Sequence, residues 1–150
     1  MFRGQFVHNL DSKGRVSLPA RFREAVLADG DARLVLTPSP NDTCLHLYPL
    51  ASWLQFEQEI AGLPRFDPHI VRFRRLYVSA ALDCEVDGSG RLLISPDYRE
   101  RAQLEKEVLL AGTGRFVEIW SKKLWDRATA PLPPAEHEHF MRRVEELIRI

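Results

Sequence analysis

The amino-acid sequence predicts a β-rich α+β fold made of two tandem copies of one small unit, with flanking helices. The first observation behind this is internal repetition, the feature to seek before any motif. Shifting the chain by 76 residues sets Asp11 on Asp87, Gly14 on Gly90, Arg15 on Arg91 and Arg23 on Arg99 without a gap. The second is agreement in character between those points: Val16 with Leu92, Leu18 with Ile94, Phe22 with Tyr98. The third is that later segments answer one another at slightly changed offsets, "RLVLT" with "EVLLA" and "CLHLYPLASW" with "FVEIWSKKLW". Turn residues, apolar alternation and an aromatic pair (Tyr48 and Trp53, then Trp120 and Trp125) thus recur in one order.

Each copy reads as strand–strand–helix–strand–strand. "GQFVHNLD" and "AALDCEVD" are strands leading into a turn, where Asp bonds nearby backbone amides and Gly takes the left-handed conformation at no steric cost. Val16 and Leu18, like Leu92 and Ile94, then alternate as a half-buried strand requires. Proline opens a short helix at Pro19 and at Pro96; in the second copy Ser95 supplies a cap and Asp97 an acidic first turn. Phe22 and Val26 share one face of the first helix, and Gly30 ends it. Strands follow at Arg33–Thr37 with Cys44–Tyr48, and at Val108–Ala111 with Arg115–Trp120, the second pair joined by the tight turn "GTGR".

Helices are expected from about Leu50 to Ala61, stopped by Gly62 and Pro64, and from Pro68 after an Asp67 cap through "HIVRFRRLYV". A last helix follows "PLPPAEHEH", with Phe140, Val144, Leu147 and Ile148 on one stripe. The chain therefore divides into a first repeat at 1–53, a helical connector at 54–76, a second repeat at 77–125 and a C-terminal helical tail at 126–150. A single unit this small buries too little surface to stand alone, so the two copies must interlock or share a core.

Composition bounds the function. The 150 residues are 45% hydrophobic and 28% charged, as in soluble folded proteins. The longest apolar run, around "EVLLAG", is strand-sized, and "MFRGQFVHNLD" has no apolar signal core, so a cytoplasmic protein is expected. Cys44 and Cys84 are too few and too distant for a zinc ribbon and read as small core hydrophobes. Twenty-one basic and twenty-one acidic residues cancel, which argues against polyanion binding as a bulk property and leaves a local basic face open.

That face lies in the first copy. Asp11–Glu24 holds Lys13, Arg15, Arg21 and Arg23 against two acids, a net of +2. Its counterpart, Asp87–Glu100, holds Arg91 and Arg99 against three acids, a net of −1. Ser89 stands opposite Lys13, and Asp97 opposite Arg21. Two units sharing a scaffold but not a charge suggest one working face and one supporting face.

Other fragments carry less. "DCEVDG" resembles a calcium loop, but the twelfth position, where a bidentate Glu is needed, is Ile94. "HEHF" at His137 would need its second zinc ligand at Met141. His8, His46 and His69 are scattered, and no nucleophile elbow, phosphate loop or dinucleotide fingerprint occurs. No catalytic site, cofactor or small-molecule ligand is expected. "RFRRLYV" reads as the outer side of an amphipathic helix with Ile70, Phe73, Leu76 and Tyr77 turned inward.

"MFRG", "DSKGR…P…R", the second "DGSGRLLI", and "YPL…W" answered by "IW…LW" together resemble the MraZ family of bacterial regulators, from Met1 to about Trp125. The resemblance implies two tandem AbrB-like swapped-hairpin repeats forming an intramolecular pseudo-dimer. It further implies assembly into a ring homo-oligomer, a nucleoid location, and binding of double-stranded DNA at tandem TGGGN-type boxes. On the same resemblance, those boxes would lie upstream of the protein's own gene, at the head of the division and cell-wall cluster. Carried over by residue, the DNA-contacting motif falls on Asp11, Lys13, Gly14 and Arg15, with Arg23 at its distal end; Arg21 joins through the charge comparison. In the second copy, Ser89 replaces the lysine and Ser95 the proline, with Pro96 one residue later. Asp11, Gly14, Asp87 and Gly90 are the turn-shaping residues. The other class of function compatible with a neutral chain is an oligomeric protein-interaction scaffold.

Overall fold

The computed structural model describes residues 1–28 and 30–149. Among these described residues, eight strands and six helices follow one another as the duplicated pattern requires. In the first copy they are β1 (Phe2–Asn9), β2 (Arg15–Ser17), α1 (Ala20–Leu27), β3 (Arg33–Pro38), β4 (Leu45–Pro49) and α2 (Leu50–Ala61). A connector, α3 (Pro68–Phe73), runs into a π-helical turn at Arg74–Val78. The second copy has β5 (Leu82–Glu85), β6 (Arg91–Leu93), α4 (Pro96–Arg101), β7 (Glu107–Gly114), β8 (Val117–Ser121) and α5 (Lys122–Ala128), and α6 (Pro134–Ile148) closes the chain.

The two copies exchange strands. The large antiparallel sheet runs β1-β7-β8-β4-β3-β5, so the first strand of each copy pairs with the third strand of the other. Each copy also keeps its own hairpin, β3 with β4 and β7 with β8, as the sequence predicts. A second, two-stranded sheet joins β2 to β6. Reversing the six-strand order exchanges the copies, which is the signature of a two-fold relation inside one chain. The axis passes between Val16 and Leu92, which face each other across β2 and β6, and between His46 and Glu118, which face each other across β4 and β8.

The main core fills the space between one face of the large sheet and the β2–β6 ribbon with α1 and α4. Val16, Leu92, Ile94, Leu45, Val108, Leu110 and Ile119 are completely buried there, with Phe22 and Tyr98 from the two helices. Phe22 meets Phe2 and Phe6 edge-on, at 5.6 and 5.2 Å between ring centres. Each such side chain contributes about 1.5–3 kcal/mol by leaving water. The opposite face of the sheet carries two smaller clusters. One gathers Val35, Tyr48, Trp53 and Tyr77 under α2 and α3; the other gathers Cys44, Leu109, Ala111 and Trp120 under α5.

Local chemistry sets the boundaries. Ser95 accepts from the Tyr98 amide to start α4, Asp67 accepts from His69 before Pro68 starts α3, and Gly30 leaves α1 at φ +75°. The sequence reading did not delimit α5, whose start is capped by Ser121 accepting from the Leu124 amide. Leu76 departs from expectation: it is exposed, whereas Tyr77 is buried. The cause is the π turn, in which the Ser79 amide donates to the Arg74 carbonyl five residues back. The wider turn rotates the apolar face, so spacing of three and four no longer points one way. The stripe on α6 meets no core among the described residues: Phe140, Leu147 and Ile148 are exposed and Val144 is half-buried.

Candidate nucleic-acid interface

The two Asp-x-x-Gly-Arg turns lie at the ends of the β2–β6 ribbon and repeat the same pattern of backbone amide hydrogen bonds. In the first, the Asp11 amide donates to the Arg15 carbonyl at 2.9 Å and the Gly14 amide to the Asp11 carbonyl at 3.0 Å. One Asp11 oxygen accepts from the Lys13 and Arg15 amides, both at 2.9 Å, and the other from Arg15 Nε at 2.9 Å. In the second, the Asp87 and Gly90 amides make the same two bonds at 2.9 Å each, and Asp87 accepts from the Ser89 and Arg91 amides at 2.8 and 3.0 Å. A carboxylate accepting several N–H bonds is stabilised in its charged form. Asp11 is accordingly held down at about 2, chiefly by the Arg15 amide and then by the Arg15 side chain and the Lys13 amide, against the opposing effect of desolvation. Asp87 is lowered for the same reason, with the Arg91 amide first.

The turns also lock into each other. The Leu18 amide donates to the Gly90 carbonyl at 3.0 Å, and the Ile94 amide to the Gly14 carbonyl at 2.9 Å. Both glycines have positive φ, +83° at Gly14 and +78° at Gly90. A β-carbon at Gly14 would lie 2.7 Å from the Arg99 guanidinium carbon, and one at Gly90 would overlap Arg23. Each distal arginine therefore lies across the other copy's turn, where only glycine leaves room.

This arrangement sorts the four predicted cations. Lys13 and Arg21 are exposed, and neither forms a salt bridge among the described residues. Arg15 is half-buried, with Nε on Asp11. Arg23 is half-buried against Gly90, with its Nε sequestered and without a hydrogen-bond partner among the described residues. On the second copy's side, Arg91 is 3.3 Å from Asp87 and 3.9 Å from Asp11, which ties the two turns together.

A second constellation was not legible as a site in the sequence. Cys44, His46 and Glu118 offer ligand atoms all within 4.8 Å of one another. Cys44 is buried, as expected of it, and Cys84 is half-buried; both are free thiols. Burial first, then the Glu118 charge, push the Cys44 thiol up. Glu118 lies below the usual carboxylate range because His46 faces it, despite the opposing effect of burial. The available signal was that Cys44 and His46, two apart on a strand, share a face, and that Glu118 aligns with His46 between the copies.

The model of the MraZ protein family matches residues 1–76 and 78–146. The chain belongs to the MraZ family. It is 45% identical over 130 residues to the transcriptional regulator MraZ of Desulforamulus reducens, covering 87% of this chain and 88% of that one. It is 44% identical over 126 residues to the namesake from Nitrosomonas eutropha, 84% of each chain. With that of Methylobacillus flagellatus it shares 46% identity over 125 residues, 83% of this chain and 84% of the other. Membership of the MraZ family makes the chain a transcriptional regulator and not an enzyme. The exchanged hairpins are the tandem AbrB-like architecture that the family resemblance implies. No helix among the described residues is long and apolar enough to cross a membrane.

Proposed function

We propose that the chain regulates transcription by binding double-stranded DNA through the turn of its first repeat, at tandem G-rich boxes upstream of its own gene, as a ring homo-oligomer associated with the nucleoid. The division and cell-wall genes downstream would be its targets. In this reading residues 1–53 form the DNA-binding repeat, 54–76 the connector, 77–125 the supporting repeat and 126–150 a tail.

The observation that carries the reading is the difference between two turns that share the same backbone amide bonds. The first presents exposed Lys13 beside Arg15; the second presents Ser89 beside an arginine bound between two carboxylates. Asp11 grips Arg15 through Nε. That grip leaves the two terminal nitrogens as a fork, the geometry that pairs with O6 and N7 of guanine. Lys13 reaches guanine or phosphate, Arg21 reaches phosphate, and Arg23 offers phosphate only its outer nitrogens, so these contacts set register. A few cations bind weakly in a single subunit. Several subunits on matched boxes gain roughly 10²–10⁴ in avidity. The exposed apolar stripe of α6 supports self-assembly, and it also favours the second reading, a protein-interaction scaffold without direct DNA contact.

Fluorescence anisotropy with the DNA upstream of its own start codon tests this. Arg15→Ala should abolish preference for that DNA while leaving the assembly size unchanged by sedimentation, and Arg91→Ala should retain most of the binding. The salt dependence should fall by about 0.9 in slope for each phosphate contact removed. Equal loss from both variants would refute the asymmetry, and salt-independent or absent binding would leave the scaffold reading.

A further inference from the structure

On the face of the large sheet away from the β2–β6 ribbon, the two-fold axis runs through a polar cluster of three unlike residues. His46 and Glu118 are directly opposed on β4 and β8, and Cys44 lies two residues before His46. His46 Nε2 is buried with no hydrogen-bond partner among the described residues, and Glu118 Oε2 is 3.6 Å away, too far for a hydrogen bond. Cys44 Sγ is 4.0 Å from the same carboxylate oxygen. The residue carrying that unpartnered nitrogen is only 8% exposed.

We infer that Cys44, His46 and Glu118 form a binding site for a zinc-class divalent cation that fastens one half of the chain to the other. Thiolate, imidazole and carboxylate are a donor set suited to zinc rather than to calcium or magnesium. Donors around a tetrahedral zinc, each about 2.0–2.3 Å from the metal, stand roughly 3.3–3.8 Å apart. The two spacings to Glu118 Oε2 need to close by only a few tenths of an ångström, and all three donor atoms lie within 4.8 Å of one another. Charge balances as well. On binding, the Cys44 proton leaves to water, and one thiolate, one carboxylate and one neutral imidazole meet a dication in a buried place with no net charge left over.

The surroundings orient the donors. His46 Nδ1 is 2.6 Å from the Tyr77 hydroxyl, which is 2.6 Å from the Tyr48 hydroxyl. When metal binds, with the proton on Nδ1 donated to Tyr77, the Nε2 lone pair would face Glu118 and Cys44, as in metal-bound histidines whose other ring nitrogen is held by a hydrogen bond. Trp120 Nε1 donates to the other Glu118 oxygen at 3.3 Å, which turns Oε2 toward the cluster. Phe116, whose ring is 4.3 Å from that of His46, covers it. The site belongs to neither repeat alone, because Phe116 and Glu118 stand in the second copy where Cys44 and His46 stand in the first.

The test uses the full chain, reduced and stripped of metal, titrated with Co²⁺ and then Zn²⁺. One equivalent of Co²⁺ should raise a thiolate-to-cobalt charge-transfer band in the near ultraviolet that Zn²⁺ bleaches, and Zn²⁺ should raise the thermal midpoint. Cys44→Ser should abolish the band, whereas Cys84→Ser should keep it. Glu118→Gln, which preserves the thiol and the shape of the site, should weaken zinc binding by about tenfold or more. No band in the natural sequence, a band surviving Cys44→Ser, or unchanged zinc affinity in Glu118→Gln would each overturn the inference. Should Cys44→Ser fail to fold, the Glu118→Gln affinity decides.

Discussion

Asp11 organises its turn by bonding two amides and one guanidinium at once, and that makes the turn sensitive to acid. Its carboxyl is depressed from 3.8 to about 2 in the folded protein. A group whose folded pKa is lowered stabilises the fold above its unfolded value and loses that contribution as pH falls through the folded one. Asp11→Asn should therefore be less stable than the natural sequence at pH 5, and the gap should close as pH falls from about 3.8 to about 2. Urea unfolding across that range measures it, and a gap independent of pH would show that the carboxylate charge is not what holds the turn. Gly14 and Gly90 act by omission at the same scale: each gives up a side chain so that the other copy's arginine can lie across it.

Among the elements, the π turn after α3 has the largest effect on the outer face of the sheet. It brings Tyr77 inward, where its hydroxyl joins His46 to Tyr48 and its carbonyl accepts from Thr37 Oγ1 at 2.7 Å. Tyr77→Phe keeps the ring and the carbonyl but leaves two buried polar groups without their shared partner. The expected loss is about 1–3 kcal/mol in denaturant unfolding, with little change in slope. Leu76 and Tyr77 also mark where reading the chain ran out. Strand, cap and turn chemistry is local, so β3, β4, α2 and the two Asp-Gly turns were legible within a residue or two. The π bulge follows from packing against Tyr48 and Trp53, which no local spacing reports. The same holds for the cations: the charge asymmetry of Lys13 and Arg21 could be counted in the sequence, but Arg23 lying across Gly90 arises only once the copies interlock.

At the level of the whole molecule, neither repeat contains its own fold. β1 finds its partner in β7, β2 in β6 and β5 in β3. A chain of residues 1–76 has no β6 or β7 and leaves Phe2, Val16 and Leu18 without their cover. It should be either unfolded or a dimer that supplies the missing strands from a second copy, as read by circular dichroism and sedimentation equilibrium. A folded monomer would contradict the interdependence of the halves.

Joining the halves in one polypeptide also frees them from having to match. Two separate identical chains would place the same residue on both sides of the Val16–Leu92 contact and at both turn tips. Here lysine stands at one tip and serine at the other. Such a body has a front and a back, so a duplex lying across the ribbon, as proposed above, would be met in one polarity only. Sites written head-to-tail along the helix would suit it, and inverted half-sites would give it no advantage.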